Sequence, residues 1–145
     1  MVKVPMRPAA HDRFSADVQL TPGAVAAFAA GVGDTNPLHY DTTVAARSRF
    51  KRPIASGTHT SALLLGLTAK HFSGFGGMLG LSFWLNFRRA VFADERILLE
   101  WLVIKVSQNA KLGGDIVELR GRVRCEDGQT AVGAKGTVLV TERPL

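Results

Sequence analysis

The stretch GTHTSALLLGLTAKHF, residues 57–72, decides the fold. Leu63, Leu64, Leu65 and Leu67 cover most of the circumference of a helix, so this helix is expected to be buried nearly all round. It carries no Asp or Glu, and SGFGG at 73–77 breaks it. From residue 78 the apolar period becomes two. Leu81, Phe83, Leu85 and Phe87 alternate with Ser82, Trp84, Asn86 and Arg88. Similar rows run through 98–106, 118–125 and 132–140. GG at 113–114 and EDG at 126–128 read as turns, the second as a hairpin.

Upstream of the helix, FSADVQL at 14–20 is a weakly alternating strand. Thr21 is placed as an N-cap with Pro22 at the first helical position. A short Ala-rich helix over 22–31 follows, ending at Gly31 and Gly33. After a polar loop, 42–50 holds one or two further helical turns. Helices gathered before a run of strands indicate an α+β fold with an antiparallel sheet. A helix apolar on all sides needs cover on all sides. A curved sheet wrapped around it supplies part, and pairing across a subunit boundary would supply more, so a homo-oligomer is expected.

The length of 145 residues suits one domain, 1–145, with residues 1–12 as an extended or flexible N-terminal segment. MVKVPMRPAAHD has no apolar core of a signal peptide, and no stretch is apolar enough to span a bilayer. One cysteine, Cys125, excludes an intrachain disulfide; it reads as a structural mid-strand residue, and a cytoplasmic location is expected. The formal charge of +6 favours an anionic partner. Arg47, Arg49, Lys51 and Arg52 form a dense basic run, either a solvated loop or a collar for a phosphate-bearing ligand.

The polar loop, GDTNPLHYD at 33–41, holds the candidate chemistry. Asn36 precedes Pro37 and is pushed to an extended backbone, while Pro37 fixes its own φ. The pair stiffens the link between Asp34 and His39, a carboxylate and an imidazole suited to acid–base work. The plainer alternative is an Asx-turn with a packed histidine. Gly57 opens the apolar helix, where its N–H can meet a developing oxyanion, or where it is simply a glycine of the first turn. Ser56, Thr58 and Ser61 have no readable base beside them. His59, close to Gly57, is a candidate pocket residue; His71 suits the helix C-terminus. His11, His39, His59 and His71 lack metal-ligand spacing, so no metal is expected.

Gly33, Asp34, Asn36, Pro37, Leu38 and His39, followed by Phe50, Pro53, Ile54, Ala55 and Gly57, resemble the two-part motif of the MaoC-like, or R-specific, enoyl-CoA hydratases. The resemblance implies a hot-dog fold, an antiparallel sheet wrapped around the helix at 57–71, with the sheets of two subunits joining in a homodimer. It implies a trans-2-enoyl-CoA thioester as substrate, coenzyme A entering only as part of it, and no separate cofactor. Asp34 and His39 would activate a water for syn addition across the double bond, Asn36 would shape the loop, and the Gly57 amide would hold the thioester oxyanion. The basic run at 47–52 would meet the coenzyme A phosphates. The chain departs from the pattern at Ser56, where the family has His, and at Thr58 and His59, where it has Met and Leu. That segment bears on acyl specificity.

Other readings are a hot-dog thioesterase, an acyl-carrier-protein dehydratase and a non-catalytic acyl-thioester-binding module. The first two use a carboxylate on or beside the central helix, and 57–71 has none. No nucleic-acid-binding module is recognisable, so neither nucleic acid nor membrane is expected as a partner.

Overall fold

In the computed structural model, which describes residues 7–145, the alternating rows form four strands of one five-stranded sheet. The strands are β1 (Arg13–Gln19), β2 (Gly77–Phe87), β3 (Arg96–Asn109), β4 (Gly114–Arg124) and β5 (Thr130–Thr141). Their order is β1-β3-β4-β5-β2, and every neighbouring pair is antiparallel. Three α-helices precede β2: α1 (Pro22–Gly31), α2 (Thr42–Arg47) and α3 (Gly57–Phe72). The α+β hot-dog arrangement expected from the sequence is the one found.

Local chemistry explains the boundaries. The Thr21 hydroxyl accepts the Ala24 N–H at 3.2 Å, with Pro22 in the first turn. Gly113 and Gly128 turn the two hairpins with positive φ of 73° and 84°. Cys125 sits at the second hairpin rather than mid-strand, since β4 ends at Arg124 and the Cys125 N–H reaches the Gln129 carbonyl at 2.9 Å. Burial, with the Glu95 carboxylate nearby, pushes its thiol up to about 11, which disfavours the thiolate a nucleophile needs.

One face of the sheet presents Phe14, Leu99, Trp101, Leu119, Val123 and Val138 to α3, which touches all five strands. Trp101 is fully buried and donates its Nε1–H to the Leu64 carbonyl at 2.8 Å, tying the central strand to the helix backbone. Gly121 on β4 leaves the space that the Trp101 ring occupies.

The helix is not buried all round. Leu64 and Leu67 face the sheet, while Thr58, Ala62, Gly66 and Ala69 form an exposed stripe at helical spacing. The sheet curls around one side only, and small residues line the other. The adjoining strand β2 lies at the sheet edge with Trp84 57% and Phe87 54% exposed.

Residues 1–6 of the expected N-terminal segment lie outside the described residues. Residues 7–12 are anchored: His11 and Asp12 exchange backbone hydrogen bonds with Val103 at 2.8 and 2.9 Å, and Arg7 meets Asp115 at 3.4 Å. Among the described residues no helix is long and apolar enough to cross a membrane.

Candidate active site

The loop after α1 is built by its own side chains. Asp34 accepts the Asn36 N–H at 3.0 Å, and Asn36 accepts the Leu38 N–H at 3.1 Å. Asn36 is extended, as its place before proline requires, and Pro37–His39 forms a single 3₁₀ turn. Asp41 then caps α2 through the Thr43 and Val44 N–H groups. The Asx-turn and a contact between the two side chains are therefore compatible. One oxygen of Asp34 makes the turn, and the other, Oδ2, lies 3.2 Å from His39 Nε2.

His39 is 6% exposed, and its Nδ1–H donates to the Ile54 carbonyl at 2.7 Å. A carbonyl only accepts, so Nδ1 keeps its proton and Nε2 is the nitrogen that exchanges one. That nitrogen faces the Asp34 carboxylate, 27% exposed, so the pair is in contact and still open to a ligand.

Ile54 is held in turn. Its N–H donates to Leu38 at 3.1 Å, the Ala55 N–H donates to Val91 at 2.7 Å, and the Ala93 N–H donates to Pro53 at 3.0 Å. This segment runs directly into α3. The Ser56 hydroxyl caps the helix by accepting the His59 N–H at 3.1 Å, and the Gly57 N–H has no partner among the described residues. A Cβ on Gly57 would lie 2.8 Å from the Phe87 ring, so any larger residue here must push that ring aside.

His39 and Gly57 line one cleft of about 440 Å³, with Asn36, Thr60, Phe87 and Arg88. A larger cleft of about 820 Å³, between the β3–β4 turn and the C-terminal residues, shares none of these side chains. Its Arg7 and Asp115 already pair with each other, and it brings no acid–base pair together.

The remaining sequence candidates fall in three places. Ser56 is the cap, and Thr58 is exposed on the outer side of α3. His59 points away from the cleft, stacked on Phe28 at 4.4 Å, with its Nδ1 buried and unpartnered; burial pushes its imidazole below the usual histidine range. It joins α3 to α1. Arg47, Arg49 and Lys51 are exposed outside the cleft, and Arg52 lies over the Phe92 ring at 3.8 Å in a groove lined by Asp94, Glu95 and Asp127.

Sequence reasoning did not place four contributors. The Ile54 carbonyl is a main-chain group and leaves no mark in residue type. Phe87 reads as one more apolar residue of an alternating strand. Arg88 and Arg89 were visible as charges, but their orientation depends on how β2 ends. No three His, Cys, Asp or Glu side chains among the described residues lie close enough to hold a metal ion.

Residues 4–120 match the family model of the MaoC-like domain. The (R)-specific enoyl-CoA hydratase of Aeromonas caviae is 35% identical over 115 residues, 79% of this chain and 81% of that protein. The solved (R)-hydratase from A. caviae involved in PHA biosynthesis superposes with a TM-score of 0.84 at 28% identity, covering 94% of this chain and 99% of that one. The unliganded R-hydratase PhaJ1 from Pseudomonas aeruginosa gives 0.85 at 25% identity, covering 94% and 84%.

Proposed function

The chain belongs to the MaoC-like domain family, and on that premise we propose how its residues carry out the reaction. It is a hydro-lyase of the (R)-specific enoyl-CoA hydratase class, adding water across the double bond of a trans-2-enoyl-CoA thioester. One observation carries the assignment of residues. His39, in contact with Asp34 at 3.2 Å, lines the same cleft as the unpartnered Gly57 N–H.

In the hydration direction the Asp34 carboxylate takes a proton from water as the water oxygen bonds to C3. The π electrons move to C2 and onto the thioester oxygen, where the Gly57 N–H and the positive end of α3 meet the charge. His39 Nε2–H then delivers a proton to C2. Both groups stand side by side, so both additions reach the same face of the double bond. Asp34 ends protonated and His39 deprotonated, and the proton returns across their direct contact. Because they touch, the water is held beside the pair and not between its members. Asn36 and Pro37 set the loop that places them, and Ser56 holds the first turn of α3. Thr58 and His59 lie off the cleft.

The same proposal includes a single working domain over 1–145, a cytoplasmic location, and no cofactor beyond the coenzyme A of the substrate. It also includes a homodimer formed through β2. The unpaired edge of β2, its exposed Trp84 and Phe87, and the small-residue stripe of α3 together form an apolar surface that a second copy would cover. The run Arg47, Arg49, Lys51 and Arg52 would then remain near the outside, free to meet the nucleotide end of the substrate.

The test is loss of the conjugated-enoyl absorbance on mixing the protein with crotonyl-CoA, with longer and aromatic enoyl-CoAs alongside. Absence of turnover across that panel ends the hydratase reading.

A further inference from the structure

Arg88 stands where the cleft meets the outer face of the sheet. It lines the cleft with His39 and Gly57, and its side chain is exposed. It forms no ion pair among the described residues, whereas its neighbour Arg89 is tied to Asp127 at 2.6 Å and to Gln129 at 3.0 Å. The Arg88 guanidinium lies over Gly133 of β5, where a Cβ would come within 3.3 Å of Nη2. Gly133 pairs with Asn86 and Arg122, and its neighbours Val132 and Ala134 point into the core, so this seat faces outward. A bare glycine thus gives Arg88 a platform from which the cation leans out over the strand.

The outer face around that seat is basic. Arg120 and Lys135 are neighbours on one rung of the sheet, between Leu102 and Trp84, with Arg13 beyond Leu102, and none of the three has an acidic partner among the described residues. Arg122, on the next rung, shares Glu100 with Arg124. The outer-face positions nearest the Gly133 seat thus include Arg120, Arg122 and Lys135.

We infer that Arg88, seated on Gly133 and backed by Arg120, Arg122 and Lys135, captures a phosphate of the thioester's carrier as the acyl end enters the cleft. The inference rests on the hydratase reading above. A guanidinium suits this task because its planar donors match phosphate geometry and stay charged at any working pH. The surrounding cations add a field that draws a polyanion toward the mouth and weakens with salt.

The experiment compares crotonyl-CoA with the N-acetylcysteamine thioester of the same acyl group, which has no phosphate, in wild type, Arg88→Ala and Arg88→Lys. Arg88→Ala is expected to lower kcat/KM for crotonyl-CoA by roughly tenfold or more, through KM, the scale of one charge-assisted hydrogen bond. The uncharged thioester should be unaffected, Arg88→Lys should recover part of the loss, and added salt should shrink the difference. An unchanged kcat/KM with crotonyl-CoA, or an equal loss on both thioesters, overturns the inference. Titration calorimetry with coenzyme A alone reads the same contact without turnover. A Kd weakened about tenfold in Arg88→Ala supports it even if no hydration is seen, and an equal Kd refutes it.

Discussion

Replacing Gly57 by alanine separates room for the substrate from stability of the fold. The new Cβ would sit 2.8 Å from Phe87 Cε1 and 3.0 Å from Cδ1. Carbon atoms rest at about 3.5 Å or more, so the ring must retreat by roughly 0.7 Å. Phe87 is 54% exposed and can swing toward solvent, which places the folding cost at the low end of the ~1–3 kcal/mol range for overpacking. For a chain of this size ~1 kcal/mol lowers Tm by only about 2–4 °C. The catalytic cost should be much larger. The methyl group enters the space that the thioester oxygen needs beside the Gly57 N–H, and loss of one oxyanion donor typically costs about 10²–10³-fold in kcat. Steady-state kinetics on crotonyl-CoA with parallel thermal melts reads both quantities. Adding Phe87→Leu, which shortens the clashing side chain, should restore Tm and leave kcat low. Wild-type kcat in Gly57→Ala would remove the oxyanion role. Recovery of kcat in the double variant would show that the displaced ring, and not the blocked amide, caused the loss.

Asp34→Asn and His39→Ala should each lower kcat by at least about 10²-fold, and the double variant should be little worse than the poorer single one, because the two act as a unit; either single variant keeping full activity loses its assigned role. Burial lowers the proton affinity of His59 in the fold, and that of His71 as well. The unfolded chain therefore binds more protons, and the native state should lose stability as pH falls through about 6.5. His59→Phe, which also removes an unpartnered buried nitrogen, should raise Tm and flatten that slope; melts between pH 5 and 8 that keep the wild-type slope would sink the assignment. Gly121→Ala would drive a methyl group into the buried Trp101 ring and should cost about 1–3 kcal/mol in denaturant melts, an unaltered midpoint being the contrary result. Trp84→Glu, on the exposed edge strand β2, should shift the protein toward monomer in light scattering, and a dimer of undiminished stability would move the interface elsewhere.

The helix boundaries and the strand rows were legible because they rest on local chemistry. Thr21 and Pro22 start α1, Ser56 and Gly57 start α3, and the switch of apolar period at residue 78 marks the sheet. Burial around α3 was misjudged because Leu63 and Leu65 look like core residues in one dimension. In three, the sheet covers only one side, and the small residues Ala62 and Gly66 mark the other. Within the site, Asp34 and His39 could be paired from spacing, since a rigid Asn-Pro link joins them. Spacing already argued against His59 as a cleft residue, because two positions along a helix from Gly57 is a rotation of about 200°. Its side chain accordingly leaves the face that Gly57 and Thr60 share and meets Phe28 on α1.

The relation between the proposed acid–base pair and the proposed oxyanion donor has a specific mechanical cause. The pair lies on residues 34–39 and the donor on residue 57, with a basic, exposed run between them that cannot fix their distance. Two hydrogen bonds running in opposite directions do so. Ile54 gives its N–H to Leu38 and takes the Nδ1–H of His39 on its carbonyl. The histidine's ring orientation, its tautomer and the entry of α3 are thereby set by one residue's backbone, three positions before Gly57. The isolated bridge between Ile54 and Phe92 then ties this clamp to the segment that follows β2, where Phe87 and Arg88 close the cleft. Side-chain identity at 47–52 can vary without moving His39 or Gly57, whereas any change that shifts the Ile54 backbone is expected to disturb the proposed proton transfer and oxyanion binding together.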